Sequence, residues 1–352
     1  MAKTENHSMA AELLRVSATA YAAYASNRFF EKLPEVKTQF GSTAFAHWTD
    51  HFSQRIQELS AAMAESEPAL FLSRVRWSRA AFKAREVPEN LLRESLLCLD
   101  EVLEQELPEA HRGAPKQYIS AALKSFENLE ENGIELDSKD PTSKLAMQYL
   151  LQILEGNSGS AIKLVVDSHH QGLPLENTYQ VLMMAQREIG RMWHQAEVNI
   201  AEEHIVTSTT QRAMSVLAFQ AEKQAFNGLT VVSAAVAGNS HDIGVQMVSD
   251  FFEFAGWRAI CLGGDLPATE IAQAVKFFDT SLVMLSAALS TQLKAIRETV
   301  KAVRELDKNC KIMVGGTAMH DAPDLWSQLG ADAYANSPAE ALAIGTQLTK
   351  QS

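Results

Sequence analysis

The sequence has few of the features that mark secreted, membrane or zinc-binding proteins. Its three cysteines, Cys98, Cys261 and Cys310, are odd in number, far apart and in no C-x-x-C arrangement, which fits a reducing cytoplasm and argues against a zinc module. No apolar run approaches the roughly 18 residues that a membrane span needs. The N-terminus has no basic flank before an apolar core, as a secretory signal would. These absences predict a cytoplasmic protein without a membrane anchor.

The chain is also short of positive charge. With 31 Lys and Arg against 43 Asp and Glu, its formal net charge is −12, a poor electrostatic match to a phosphate backbone. Direct binding of nucleic acid is therefore not expected. The 352 residues, 46% of them hydrophobic, are enough for two or three domains with cores of their own.

The first two thirds of the chain have apolar residues at helical spacing. Residues 1–135 are predicted to form an all-helical domain, with helix breaks before Pro34, Pro68, Pro88 and Pro108. A polar segment that ends in Asp140-Pro141 is predicted to be the linker. Residues 142–222 then have the pattern of a four-helix bundle.

From residue 228 to 350 the pattern changes to short apolar runs that alternate with amphipathic helices. The runs TVVSAAV, RAICLG, SLVMLS, KIMVGG and ADAYA predict the strands of a flavodoxin-like, doubly wound parallel sheet. The whole chain is thus predicted to be of the α plus α/β class. In such sheets a ligand binds at the carboxyl ends of the strands, and His241, Ser286 and Gly315-Gly316 all come at strand ends. We expect them to form one site.

The residues at these strand ends resemble the cobalamin-binding fingerprint Asp-x-His-x-x-Gly, Ser-x-Leu, Gly-Gly, whose spacings match over roughly 228–350. The matching positions are Asn239, Ser240, His241, Asp242, Ile243 and Gly244, then Ser286 and Ala288, then Gly315 and Gly316. The resemblance implies cobalamin bound with its dimethylbenzimidazole tail detached and His241 as the lower cobalt ligand, a role that suits neutral imidazole.

The same resemblance implies a slot for the released tail between the first and third strands. Small Ser286 and Ala288 would leave room for it, and Gly315-Gly316 would let the backbone approach the nucleotide. Two positions depart from the fingerprint. Asn239 replaces an acid that would raise the basicity of the histidine, and Ala288 replaces leucine, which makes the slot roomier.

The helical bundle carries a second resemblance, to CarH-type light-sensing adenosylcobalamin domains. Trp193 is followed by nine residues and then Glu203-His204, which matches the Trp-x9-Glu-His signature of that family. The resemblance implies that Trp193 packs by the upper ligand, that Glu203 and His204 help to hold the adenosyl group, and that His194 ligates cobalt from above after light. A cobalamin-dependent light sensor without catalysis of its own is thus the function expected.

Two other cobalamin functions compete with the light sensor. A corrinoid carrier for methyl transfer, with methylcobalamin as the bound form, pairs a similar bundle with the same sheet domain and stays the alternative. An adenosylcobalamin mutase needs a substrate barrel of about 250 residues, for which the chain has no room.

The N-terminal block loosely resembles globin-like sensor domains, and also photocobilins, which join a cobalamin photoreceptor to a bilin-binding domain. This likeness implies biliverdin or another tetrapyrrole, or haem, as a second cofactor. Its candidate contacts are His47 and His51 one helical turn apart, the basic side chains around Trp77, and a thioether to Cys98; the basic side chains are Arg74, Arg76 and Arg79. Otherwise the block is a module for dimerisation or for docking a regulatory protein, and a homo-oligomer is expected.

Overall fold

The structure is a computed structural model, and it describes residues 2–126, 136, 139–320 and 322–350, with the side chains of residues 2–6 left aside. The chain divides into two compact units, Met1–Glu131 and Asn132–Ser352. The predicted domain end at residue 135 lies outside the described residues. Among those that are described, no helix is both long and apolar enough to cross a lipid bilayer.

The first unit is all-helical, as predicted. Its helices are α1 (Ala2–Val16), α2 (Ala18–Lys32), α3 (Glu35–Phe40), α4 (Ala44–Ala64), α5 (Pro68–Ala84), α6 (Glu89–Glu106) and α7 (Gly113–Ser125). The helix breaks come at the four prolines, and Pro68 opens α5 while the Glu67 carboxylate accepts from the backbone N–H of Ala69. A further break occurs at Ser17, whose φ of −109° and ψ of 13° end the helical geometry between α1 and α2.

The second unit begins with the predicted bundle of four helices. These are α8 (Pro141–Leu154), α9 (Ser158–His170), α10 (Leu175–His194) and α11 (Ile200–Gln220). The Asp140 carboxylate caps α8 by accepting from the backbone N–H of Ser143 at 2.7 Å. The joints between α8, α9 and α10 turn at Gly156 and Gly172, both with positive φ, where a side chain would be strained.

A parallel five-stranded sheet follows the bundle. Its strands, in chain order, are β1 (Thr230–Val236), β2 (Arg258–Leu266), β3 (Leu282–Ser286), β4 (Lys311–Gly315) and β5 (Ala333–Tyr334). They are arranged β2-β1-β3-β4-β5, and the accompanying helices are α12 (Ile243–Phe254), α13 (Ala268–Phe277), α14 (Leu293–Leu306), α15 (Leu325–Gln328) and α16 (Pro338–Lys350). This is the flavodoxin-like order, so the predicted fold class is confirmed.

Helix α12 joins the sheet to the bundle. Its Met247 and Phe251 are buried in the same apolar cluster as the bundle residues Tyr179 and Leu182. At the centre of this contact the Tyr179 hydroxyl donates to the Asp250 carboxylate at 2.6 Å. Helix α10, which ends at His194, is therefore fixed to the helix that begins next to His241.

The Tyr179–Asp250 pair makes stability depend on pH. Burial, with the nearby Glu253 as a smaller cause, raises the pKa of Asp250 to about 6 from its usual 3.8. The folded protein thus binds the Asp250 proton more tightly than the unfolded chain does. The contribution of this proton to the free energy of unfolding is fully present below about pH 4 and is lost as pH rises through about 6. Asp250→Asn, whose amide oxygen still accepts from Tyr179, should gain stability on the order of 2 kcal/mol at pH 7.5 and lose this dependence.

This prediction can be checked by hydrogen exchange of α10 and α12 peptides across pH 4–8, since peptide-level data report this unit separately from residues 2–126. Tyr179→Phe is the matched control, because it leaves the buried carboxylate without its donor and should open more readily at pH 7.5. An Asp250→Asn protein that keeps the parent's pH dependence would contradict the assignment.

Candidate cobalamin site

The loop after β1 holds His241 beside a buried asparagine. Asn239 is fully buried, and its Nδ2 donates to the backbone carbonyl of Ser286, the last residue of β3, at 3.1 Å. Its Oδ1 accepts from the backbone N–H of His241 at 3.1 Å and lies 3.3 Å from the ring Nδ1. One side chain thus ties the loop to β3 and orients the His241 ring.

This contact decides which nitrogen of His241 is available to a metal. An amide oxygen only accepts hydrogen bonds, so the contact places the proton on Nδ1 and leaves the lone pair on Nε2. The side chain is exposed at the sheet edge. The described residues contain no group of three His, Cys, Asp or Glu side chains that could hold a bare metal ion. The single imidazole therefore fits a cobalt that brings its other ligands in a corrin ring.

The geometry also explains why asparagine stands where the fingerprint has an acid. The amide donates to the Ser286 carbonyl and accepts from His241 at once, whereas an ionised carboxylate in its place would have no donor. Asn239→Asp would turn a carboxylate oxygen toward that carbonyl. We expect it to lower the free energy of unfolding by about 1–3 kcal/mol.

Urea unfolding of the cofactor-free chain measures this loss, with hydrogen exchange of sheet-domain peptides as the readout. Asn309→Asp makes the same chemical change at an exposed position and should have little effect. Equal stability of Asn239→Asp and the parent would mean that the Asn239–Ser286 bond contributes nothing.

The second and third motif positions lie in register with the end of β1. Ala235 pairs with Ser286, and Ser286 pairs with Gly315. In-register residues of a parallel sheet project from the same face, and this face packs against α12 through Met284 and Phe252. Three small residues therefore form a row at the carboxyl edge of the face that α12 covers.

This register corrects the predicted slot for the nucleotide tail. Strands β1 and β3 are hydrogen-bonded neighbours as far as Ala235 and Ser286, so no slot runs between them. The small residues Ala235, Ser286 and Gly315 lie side by side on the sheet face instead.

The glycine pair is required by the packing of the protein itself, and its role in letting the backbone approach the nucleotide stays a prediction. A Cβ on Gly316 would lie 2.2 Å from the carbonyl oxygen of Ala287, and its φ is +95°. A Cβ on Gly315 would lie 2.9 Å from the carbonyl oxygen of Ala335. The protein's own backbone therefore already requires these glycines. Ala288, two residues past β3, donates its N–H to Gln292 and accepts at its carbonyl from the Thr317 hydroxyl at 2.7 Å.

The remaining loop positions connect the site to the bundle. Asp242 accepts from Gln211 of α11 at 3.4 Å, and Ile243 packs against the bundle core. Ser240 is exposed, and a Cβ on Gly244 would meet nothing within 4 Å. Asp242 and Ile243 therefore anchor α12 beneath α11, whereas Ser240 and Gly244 face open space.

The predicted upper-face residues lie at the joint between α10 and α11. Trp193 and His194 are in the last turn of α10, with Trp193 37% exposed and His194 half-buried. Glu203 and His204 are in the first turns of α11, about two helical turns before Gln211. The joint thus gathers all four residues at one end of the bundle.

Glu203 is held in one orientation by its neighbours. It contacts His204 Nδ1 at 2.6 Å and accepts from the Thr207 hydroxyl at 2.7 Å. The turn before it is fixed by Arg191, which pairs with Glu188 and Glu197 at 2.6 and 2.8 Å. These contacts present the Glu203 carboxylate as a fixed acceptor at the end of the bundle.

Sequence patterns gave no indication of three residues that build the site. Gln292 is buried and bonds to the loops after β1 and β3. Asp265 accepts from the backbone N–H of Gly238 at 2.7 Å, and Gln211 reaches Asp242 from the bundle. All three act on backbone or neighbouring polar groups that only the tertiary fold brings near.

In the first unit, the two histidines predicted as a pair lie in different surroundings. His47 is exposed, whereas His51 is partly buried against the rings of Trp48 and Phe82. Burial, with a smaller effect of Arg55, lowers the pKa of His51 to about 3. Its Nε2 lies 3.2 Å from the Ser95 hydroxyl. His51 is thus neutral, and its Nε2 is engaged within the protein.

Two of the three basic residues around Trp77 have carboxylate partners in this unit. Arg74 pairs with Glu58 at 3.0 Å and Arg79 with Glu89 at 2.6 Å, so tetrapyrrole propionates would have to displace these carboxylates. The Nε of Arg76 is buried without a hydrogen bond. Burial raises the pKa of Cys98 to about 11, which leaves little thiolate for a thioether.

Comparison with known families agrees with the site in the second unit. A protein-family model described as a B12 binding domain matches residues 229–343, and a second family model of the same description matches residues 145–218. The second match thus covers the helical bundle, and the first covers the sheet domain.

Curated relatives of this part of the chain are corrinoid proteins. Dimethylamine corrinoid protein 1 of Methanosarcina acetivorans is 32% identical over 121 residues, 34% of this chain and 55% of that protein, so the match spans about half of the relative. Dimethylamine corrinoid protein 3 of Methanosarcina mazei is 31% identical, over 34% of this chain and 71% of its own length.

The monomethylamine corrinoid protein of Methanosarcina barkeri has the same fold, with a TM-score of 0.52 and 21% identity over 59% of this chain and 99% of its own. Cobalamin binding is thereby established as the property of residues 145–343, whereas light sensing has no support among these relatives. The chain belongs to the cobalamin-binding family of corrinoid proteins.

Proposed function

We propose that this protein is a corrinoid carrier, which holds cobalamin through His241 and presents it to partner proteins that add and remove a methyl group. The sequence leaves this function as the alternative to light sensing, and the corrinoid-protein relatives favour it. Cobalamin supplies a cobalt centre that can accept and release an alkyl group. The chain itself binds and orients the cofactor and is proposed to catalyse no reaction alone.

The observation that carries the proposal is the state of His241. Asn239 holds its ring with Nε2 free, at the sheet edge that Gln211 of α11 reaches. A carrier also needs an upper side that a partner can approach. The joint between α10 and α11 supports this, because Ile200 and Ile205 are 60% and 48% exposed there.

A light sensor remains a second candidate on one specific observation. The Trp-x9-Glu-His spacing puts Glu203 at the end of the bundle, and Thr207 and His204 hold its carboxylate in place. A fixed carboxylate is suited to accept hydrogen bonds from ribose hydroxyls, which an adenosyl group has and a methyl group lacks.

Titration of the purified full-length chain with hydroxocobalamin, methylcobalamin and adenosylcobalamin separates the two functions. The carrier should bind the methyl and adenosyl forms with affinities within about tenfold, because it makes no specific contacts to the ribose. Illumination of the loaded protein should leave its elution volume in size-exclusion chromatography unchanged.

Strong preference for adenosylcobalamin, lost in Glu203→Gln, would overturn the carrier proposal in favour of the sensor. In that case light should change the oligomeric state, and His194→Ala should leave photolysis intact but destabilise the light product. Failure of all three forms to bind would contradict both functions.

A tetrapyrrole in the N-terminal unit and a homo-oligomeric state stay predictions. Reconstitution with biliverdin tests the former, because a bound bilin gives a far-red absorption band that the chain alone lacks. A bilin that binds through Arg74 or Arg79 would have to displace Glu58 or Glu89 from these ion pairs.

A further inference from the structure

Gln292 lies where the loops after β1 and β3 meet. It is only 5% exposed, and its Nε2 donates to the Gly238 carbonyl, one residue before Asn239, at 2.7 Å. Its Oε1 accepts from the backbone N–H groups of Ala288 and Leu289 at 2.8 and 3.0 Å. Every one of these contacts is to a loop that carries a motif residue.

The two ends of this side chain act on different loops. The oxygen satisfies two N–H groups after β3, and the NH2 group satisfies one carbonyl after β1. Such backbone groups need partners when they are shielded from water. A glutamine side chain has both an acceptor oxygen and a donor NH2 group. Glutamate has no donor when ionised, and methionine has no donor and only a weak acceptor.

The hold on Gly238 bears directly on His241. Gly238 is in the left-handed region, with φ of +79°, and its N–H is bound by Asp265. Gln292 therefore hydrogen-bonds to the carbonyl of Gly238, and Asp265 hydrogen-bonds to the N–H of the same residue. Asn239, which orients the His241 ring, follows immediately.

We propose that Gln292 is a positioning residue for the lower cobalt ligand. By fixing Gly238 against the loop after β3, it sets the place of Asn239 and hence of His241 before the cofactor binds. The inference depends on cobalamin binding through His241, but not on methyl transfer or light sensing.

The test uses cob(II)inamide, a corrinoid without the nucleotide tail, bound to the purified full-length chain. Its nitrogen superhyperfine splitting in electron paramagnetic resonance then reports an axial nitrogen from the protein. The variants are Gln292→Glu, which keeps the acceptor for Ala288 and Leu289 but loses the donor to Gly238, and Gln292→Met, which loses both. Gln273, an exposed residue of α13, is replaced in the same two ways as the control.

We expect Gln292→Glu to weaken cob(II)inamide binding about tenfold and to lower the fraction of bound cobalt with nitrogen splitting. Gln292→Met should weaken binding by about tenfold to a hundredfold, since up to three backbone groups lose their partner. The Gln273 variants should match the parent. All spectra are compared on samples whose circular dichroism shows them to be folded.

Normal splitting and normal affinity in both Gln292 variants, even with a lowered melting temperature, would overturn the proposal and leave Gln292 a structural role only. If Gln292→Met does not fold, Gln292→Glu decides by itself, because it removes the contact to the His241 loop and spares the other two. Splitting that persists in His241→Ala would instead show that the lower ligand is another residue.

Discussion

Replacing His241 with alanine is expected to remove the nitrogen proposed to bind cobalt from below and to weaken cobalamin binding by more than about 100-fold. The loss of a residue that only supports a metal ligand already costs roughly 10- to 100-fold, and His241 is the proposed ligand itself. The ring is oriented by Asn239 with its Nε2 free, so no rearrangement is needed for it to coordinate. Absorbance titration with hydroxocobalamin measures the change in affinity.

Two additions make the His241→Ala experiment specific. Free imidazole should restore part of the affinity, because the side chain lies exposed at the sheet edge and the cavity left by alanine opens to solvent. His170→Ala, at the exposed end of α9, is the control and should bind as the parent does. If His241→Ala kept full affinity and its spectrum, the lower-ligand assignment would be wrong.

Replacing Gly316 with alanine is expected to have the largest effect on stability. The new Cβ would lie 2.2 Å from the carbonyl oxygen of Ala287 and 2.9 Å from its N and C atoms, all of them backbone. With φ of +95° and ψ of 166°, the residue also lies in a region that only glycine readily adopts. The loops after β3 and β4 must separate, at a cost of about 3 kcal/mol or more.

This separation should reach the cobalamin site. The same two loops are joined by the bonds from Ala318 N–H to the Ala287 carbonyl and from Thr317 to the Ala288 carbonyl. We expect Gly316→Ala to lower the melting temperature of the sheet domain and to lose hydroxocobalamin binding.

Gly330→Ala separates the steric overlap from the backbone conformation. Gly330 also has positive φ, +83°, but a Cβ there would meet only the tip of the Val300 side chain at 3.3 Å. Gly330→Ala should lower the free energy of unfolding by about 1 kcal/mol. If the two variants lost the same stability, the close approach of Gly316 to Ala287 would not be the cause.

The first unit shows the limits of a pattern without a specific motif. The prolines predicted its helix ends, because proline lacks an N–H and constrains its neighbour. The proposed tetrapyrrole contacts were inferred from side-chain chemistry and spacing alone. In the structure Arg74 and Arg79 face Glu58 and Glu89, and these carboxylates come from other turns and helices that periodicity does not bring together.

The order of the elements in the second unit was determined by the sequence alone. Alternating apolar runs and amphipathic helices predict a parallel sheet because each strand must be buried on both faces. The spacing of His241, Ser286 and Gly315 predicts one site because parallel strands end at one edge. This reasoning needs only local patterns and the order of strands and helices.

The tertiary structure decided how that site is held together. It shows that the amide of Asn239 bridges Ser286 and His241, which a carboxylate could not do because it has no donor. It shows that β1 and β3 are hydrogen-bonded as far as Ala235 and Ser286, which leaves no slot for the nucleotide tail between the paired residues. It also reveals Gln292, whose partners are backbone groups. One of them, at Gly238, is 54 residues away in sequence, and another, at Ala288, is four residues away. Bonds to backbone carry no signature in residue type or spacing, so only the folded chain could show them.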